Sequence, residues 1–243
     1  VLIASRRHTP GDLRHWSMLE GFDRQIYATA AMRRLIDDAR RALDEFFAGG
    51  AGYVSVSWGK DSVVVAHLAT EMIGADLPVV WFPAGSIENP DCALVRDAFL
   101  ARYPCAYAER PAVLPDDDWN RHLGHDGAQE AFEEASREFG HRYASGVRAE
   151  ESSTRRMTMR VNSLVSRNTC RPIGWWKTEH VFAYLAGNDL PVHPAYACTM
   201  EGRLDRNDLR VSTLGGKRGR GHGRAEWERR YYRAEMAAIE GRR

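Results

Sequence analysis

The chain has 243 residues, 44% hydrophobic and 28% charged, the balance of a globular protein able to bury one large core. Its 34 basic and 33 acidic residues leave a formal charge of +1, which excludes a globally basic nucleic-acid binder but not a local basic patch. Four scattered cysteines with no C-x-x-C pair exclude a secreted disulfide framework, and no run approaches the roughly 18 apolar residues of a membrane span. The opening VLIAS lacks the make-up of a signal peptide. A cytoplasmic protein without a membrane partner is expected.

From Phe22 to Phe47 apolar residues recur at three- and four-residue steps, predicting an amphipathic helix ended by Gly49 and Gly50. GYVSVS then alternates with period two and predicts a strand. SVVVAHLATEMIG follows as a buried helix stopped by Gly74. LPVVWFPAG reads as a second strand, NPDCALVRDAFLARY as a helix closed by Pro104, and Ala106 to Glu109 as a short strand. PAVLPDDDWNRHLGHDG is loop-like. AQEAFEEASREFG is helical, with Ala128, Phe132, Ala135 and Phe139 on one face, and HRYASGV is a further strand. Thr178 is the expected N-cap of the helix EHVFAYLAG, which ends at Gly187.

Strands alternate with helices through crossovers too long for hairpins, so an α/β fold is expected, with a mostly parallel sheet wound by helices. The expected division is an α/β core domain over 1–199 and a basic appendage over 200–243, made of the Gly/Arg loop GGKRGRGHGR and a charged helix. Charge is uneven along the chain. Residues 109–138 hold nine acids, whereas 203–243 hold twelve Lys or Arg against six acids. The basic tail is therefore a candidate contact for a nucleic acid or a protein partner, and its loop a candidate cover for a phosphate chain.

SWGKDS (57–62) sits where a strand turns into a helix N-terminus, and unpaired N–H groups and the helix dipole favour an anion there. Gly59 permits the turn and close approach of a ligand, and Lys60 suits phosphate. The Ser57 and Ser62 hydroxyls can donate to phosphate oxygens. Asp61 needs a metal ion or a capping role beside an anion. A Walker A loop is excluded, because Gly52 lies seven residues before Gly59 and Asp61 stands where Ser or Thr belongs.

Three stretches in order carry a family resemblance across roughly residues 30 to 196. SWGKDS resembles the PP-loop, Ser-x-Gly-x-Asp-Ser, of the Rossmann-like adenine-nucleotide α-hydrolase fold. GVRAEESSTR (146–155) and RPIGWWKTEHVFAYLAGNDLPVHPAY (171–196) are similar to segments of the phosphoadenylyl-sulfate (PAPS) reductase family within that group.

The resemblance implies that Ser57, Trp58, Gly59, Lys60, Asp61 and Ser62 hold the phosphates of ATP or of a sulfonucleotide, PAPS or APS. Phe82 and Gly85, at the end of the next strand, would lie beside the adenosine, although Pro-Ala-Gly replaces the family's acidic residue and Thr-Gly. Gly146, Arg148 and Arg155 would complete the nucleotide site, the arginines through bidentate contacts to phosphate or sulfate. Asp61, Glu150 and Glu151 are candidate Mg²⁺ ligands; the alternative is a surface loop held by Arg–Glu pairs. Trp175 and Trp176 read as packing anchors.

Lys60, Asp61 and Arg148 are then the candidate catalytic residues of an ATP pyrophosphatase that adenylates an acceptor: a small acid, a sulfur carrier or a nucleic-acid base. The runner-up is a sulfonucleotide reductase. It requires a thiol, and the family's C-terminal Glu-Cys-Gly-x-His motif and its iron–sulfur cysteines are absent, which leaves Cys198 or a partner's thiol as the candidate and no cluster expected. A nucleotide-binding module without turnover is the third reading.

Overall fold

A computed structural model of the chain describes residues 1–112, 126–215 and 223–241, with backbone alone for 126–128. Residues 113–125 of the acidic loop, the face assigned to Ala128, and 216–222 of the basic loop lie outside the described residues.

Five short strands form one sheet: β1 (Tyr53–Val56), β2 (Pro78–Trp81), β3 (Ala106–Glu109), β4 (Tyr143–Ser145) and β5 (Thr169–Cys170). Their order is β3-β2-β1-β4-β5 and every pairing is parallel, with Val54 opposite Val79 on one side and Ala144 on the other. Parallel strands are covered on both faces, hence the apolar runs at 53–56 and 78–81. From β1 the chain builds outward through β2 and β3, then returns to add β4 and β5 on the opposite side. The carboxyl ends of β1 and β4 therefore flank the topological switch, where open α/β sheets bind ligands.

Nine helices surround the sheet among the described residues: α1 (Pro10–Tyr27), α2 (Ala30–Ala48), α3 (Lys60–Ile73), α4 (Asp91–Arg102), α5 (Asp126–Phe139), α6 (Ser153–Asn162), α7 (Thr178–Gly187), α8 (Arg224–Tyr231) and α9 (Arg233–Glu240). The single helix expected over 22–47 is two. Helix α1 begins at Pro10 behind a Thr9–Asp12 capping box, and α2 restarts behind Thr29, whose hydroxyl accepts from the Met32 amide at 3.1 Å. Helix α6 and strand β5 were not expected. Thr178 is the first residue of α7 rather than its cap, which is Lys177. Helix α3 is buried around most of its circumference, from Val63 through Ala69, consistent with its place among β1, α2 and α7.

The C-terminal segment, expected as an appendage, packs Trp227, Tyr231, Tyr232 and Met236 into the same core as the sheet helices. Its polar tips are tied to the first part of the chain. Tyr231 donates to Asp12 at 3.0 Å, Tyr232 donates to Asp91 at 2.8 Å, and Arg7 bridges Asp91 (2.9 Å) and Glu235 (2.5 Å). Asp12 also accepts the amides of Thr199 and Glu201. No described helix is long and apolar enough to cross a membrane.

Candidate functional site

The turn after β1 is shaped from behind. Gly59 caps α3 with an ordinary φ of −78°; the left-handed residue is Trp58, at φ 56°, a conformation rare for a bulky side chain. Its indole is fully buried, with ring centres 5.5 Å from Phe99 and 6.0 Å from Tyr107. Core packing over-determines the strained backbone. Trp58 thus enters the site through its backbone, not its ring.

Within the loop, the Ser57 amide donates to Ser62 Oγ (3.2 Å) and Ser62 Oγ donates to the Gly59 carbonyl (3.0 Å). The Ser62 hydroxyl holds the turn and is not free for phosphate. The Lys60 amide donates to Tyr196 Oη at 3.2 Å. The first-turn amides of Asp61 and Ser62 have no partner among the described residues, which leaves two N–H donors at the positive end of α3.

Lys60 and Asp61 are paired, not exposed at a sheet edge. Lys60 Nζ lies 2.8 Å from Asp61 Oδ2 with the lysine 7% exposed. Burial alone would lower the Lys60 pKa, but the Asp61 charge outweighs it and holds the ammonium above its usual range. Burial would likewise raise Asp61, and Lys60 with Arg148 reverse that, holding the carboxyl low.

Arg148, 2% exposed, spends most of its donors on protein. Its Nε donates to Asp61 Oδ1 (2.6 Å), Nη1 to Glu150 Oε2 (2.7 Å) and the Trp176 carbonyl (3.1 Å), and Nη2 to Thr178 Oγ1 (3.0 Å). In this arrangement Arg148 ties the β4 turn to the starts of α3 and α7, which leaves few donors for the bidentate phosphate contact expected from its motif. Gly146 lets that turn close: a Cβ there would meet the Asp61 carbonyl carbon at 2.7 Å and the Ser62 nitrogen at 2.9 Å.

The expected Mg²⁺ ligands are partly committed: Glu150 and Glu151 each engage their partners through Oε2 alone. Asp61 uses both oxygens on cations. Glu150 Oε2 accepts from Arg148 and from the Thr178 amide (2.7 Å) and hydroxyl (2.8 Å). Burial would raise Glu150, but these bonds outweigh it and keep its carboxyl low. Glu151 accepts the Arg148 amide (2.9 Å) and pairs with Arg155. Among the described residues no three His, Cys, Asp or Glu are grouped to hold a metal ion. Asp61 is neutralised by its two cations, while one oxygen of Glu150 and one of Glu151 have no partner among the described residues.

Two adjoining clefts open over this cluster. One, of ≈ 400 Å³, runs along Ser57, Gly59, Lys60, Phe82, Gly146 and Arg155. The other, of ≈ 380 Å³, is lined by Arg148, Glu150, Lys177 and Asp208, and the two share Lys60, Glu151, Leu209 and Arg210. Phe82 stacks on Phe132 at 4.2 Å, an apolar wall suited to a purine. Gly85 lies in a 3-10 turn beyond the cleft lining.

The outer wall was not expected from sequence. Residues 207–212 form a strap clamped at both ends. Arg206 makes a buried 2.6 Å bond to Asp23, while the Asn89 amide donates to the Ser212 carbonyl (2.9 Å) and the Leu214 amide to Ile87 (2.8 Å). Arg210, exposed at the middle, has no ion pair among the described residues, whereas Lys60, Arg148, Arg155 and Lys177 all have one. Nothing in the run RLDRNDLR distinguishes Arg210 before the fold is known.

Cys198 is fully buried with its thiol near the Pro194 carbonyl, and burial pushes it up to about 12. Neither cleft is lined by a cysteine.

Residues 52–215 match the model of the phosphoadenosine phosphosulfate reductase domain. A phosphoadenosine 5′-phosphosulfate reductase of Synechococcus sp. is 28% identical over 164 residues, spanning 60% of this chain and 70% of that protein. A crystal structure of phosphoadenylyl-sulfate (PAPS) reductase from Candida auris, a phosphate complex, aligns with a TM-score of 0.48 at 14% identity, covering 67% of this chain and 87% of that one.

Proposed function

For a chain that belongs to the phosphoadenosine phosphosulfate reductase domain family, we propose an enzyme that binds an adenine nucleotide at the β1–β4 switch and transfers its adenylyl group. The nucleotide's phosphates meet the free amides of Asp61 and Ser62, the Lys60 ammonium and Arg210. The base rests against Phe82 and Phe132. ATP arrives as its Mg²⁺ complex.

An acceptor oxygen or sulfur forms a bond to the α-phosphorus. The bond from that phosphorus to the bridging oxygen breaks, and pyrophosphate leaves with the electron pair. Lys60 and the backbone amides offset charge growing on the phosphate oxygens, and no protein nucleophile is needed.

The observation that carries this reading is the absence of a thiol from the cleft. Sulfonucleotide reduction needs a thiolate to attack sulfur, and Cys92, Cys170 and Cys198 are fully buried while Cys105 stands outside the cleft lining. Similarity to the Synechococcus phosphoadenosine 5′-phosphosulfate reductase favours a second reading, reduction of PAPS with a thiol brought by a partner protein.

Incubation with ATP and Mg²⁺, and separately with PAPS and a reduced thiol carrier, tests both. Lys60-dependent release of AMP and pyrophosphate is expected. Sulfite and adenosine bisphosphate without pyrophosphate would overturn adenylyl transfer in favour of reduction.

A further inference from the structure

The chain is nearly neutral, yet between Ser152 and Thr178 it carries Arg155, Arg156, Arg160, Arg167, Arg171 and Lys177 with no Asp or Glu. Arg155 pairs with Glu151 and Lys177 with Glu179. The other four have no ion pair among the described residues. Internal neutralisation, which consumes the charge at Lys60 and Arg148, is missing here.

The same stretch exposes apolar groups that a solvated basic segment does not require. Met157 is 67% exposed, Val161 81% and Trp175 46%. On α6, Arg156 and Arg160 are an i,i+4 pair, as are Met157 and Val161, so a cationic stripe runs beside an apolar one. The turn bearing Trp175 packs on α6 at Gly174, where a Cβ would lie 2.7 Å from Leu164 and 2.8 Å from the Met159 sulfur. Trp176 is buried; its neighbour is not the packing anchor expected from sequence.

This surface leads into the nucleotide cleft. A groove of ≈ 350 Å³ has aromatic walls from Phe132 and Tyr143 and arginines 155 and 171 at its margin. Ser55, Phe132, Ser145 and Arg155 line both this groove and the nucleotide cleft. Phosphate-binding cations, an exposed aromatic and an aromatic-walled groove are the components of a single-strand nucleic-acid site.

We propose that the α6 face binds single-stranded nucleic acid. The backbone runs across Arg156, Arg160 and Arg171, an unstacked base lies on Trp175, and one nucleotide enters the groove toward the phosphate loop. This occupant rests on the adenylyl-transfer reading only in making the strand the acceptor; the binding itself stands apart from that reaction.

Fluorescence anisotropy with labelled single-stranded RNA and DNA oligonucleotides tests the proposal, while binding of a non-hydrolysable ATP analogue is followed on the same variants. Salt-sensitive binding is expected with one or both strands. Arg156→Ala/Arg160→Ala should weaken it about tenfold or more and reduce the log–log salt slope by about 1.4, two single-strand phosphate contacts. Trp175→Ala should weaken it about fivefold or more. Analogue binding should not change, because these side chains lie outside the phosphate loop. No strand binding by the unaltered protein would overturn the proposal. So would poly-glutamate binding equally well and indifferently to Trp175→Ala, which assigns the face to an acidic protein. Strand binding intact in a protein that binds no ATP analogue would sink the adenylyl-transfer reading alone.

Discussion

Arg148 and Asp61, 87 residues apart in sequence, are joined by a 2.6 Å bond from Nε to Oδ1 that fastens the turn after β4 to the first turn of α3. The contact makes the turn between β1 and α3 a product of two crossovers. Removing the guanidinium leaves Asp61 and Glu150 without their shared cation. Arg148→Ala is expected to cost about 3–5 kcal/mol of stability, as for other broken buried pairs, and Arg148→Lys to recover little of it, because a lysine cannot reproduce the fork. Urea unfolding decides the matter. Unchanged stability with weaker nucleotide binding would make Arg148 a ligand-binding residue instead.

Arg210 should separate binding from folding. It is exposed and unpaired among the described residues, so Arg210→Ala is expected to leave the melting temperature unchanged. Loss of one charge-assisted contact, about 1.5–3 kcal/mol, predicts roughly tenfold or greater weakening of ATP binding in isothermal titration. Equal affinity in the variant would remove Arg210 from the site.

Gly146→Ala tests the closeness of β4 and α3. The added methyl meets backbone of Asp61 and Ser62 below 3.0 Å, and backbone cannot swing aside as a side-chain end can. A loss of about 1–3 kcal/mol, the usual cost of overpacking, is expected together with weaker nucleotide binding. A variant as stable as the parent would show that the turn has slack.

Glu88 gives a pH signature. Burial pushes its carboxyl up to about 7 from an ordinary 4.5 despite the Ala84 amide donating to Oε2, and Oε1 is buried without a partner. The folded state therefore binds this proton more tightly than the unfolded chain. Its contribution is full below about 4.5, falls as pH rises to about 7, and is flat above. Glu88→Gln should abolish that decline and melt higher than the parent at pH above about 7. Parallel melting curves across the range would contradict the assignment.

The cysteines should be quiet. Burial raises Cys105 to about 11 and both Cys170 and Cys198 to about 12, so little thiolate is present near neutrality. Iodoacetamide is expected to reach half-buried Cys105 first and the other three only on unfolding. Pyrophosphate release should survive the labelling of Cys105; its loss would bring a thiol back into the mechanism.

The strand–loop–helix at 53–73 was legible because its pattern changes from period two to a continuous apolar run, and both follow from burial in a parallel α/β layer. Thr9, Pro10 and Asp12 carry the start signal of α1, but the regular apolar periodicity of this region begins only at Phe22. Helix α6 escaped because most of its side chains are exposed and its sequence, STRRMTMRVN, shows no core stripe. Strand β5 is two residues long and leaves no pattern. Adjacent Trp175 and Trp176 are indistinguishable until one is buried and the other is not. The committed state of Arg148 and Glu150 depends on Thr178 and Trp176, brought near by tertiary structure alone.

The ties from Tyr231 to Asp12 and from Glu235 to Arg7 span 219 and 228 residues, and they govern how the molecule comes into being. Contacts of such separation close late, after the entropy of a very long loop has been overcome. During synthesis β1 and the phosphate loop emerge early, while Asp12 and Asp91 wait for tyrosines not yet made. Arg224, which donates to the Thr213 carbonyl just beyond the strap, is equally late. The strap's own clamps, to Asp23, Asn89 and Ile87, need neither helix, so α8 and α9 close the core behind a cleft wall already held from the first part of the chain.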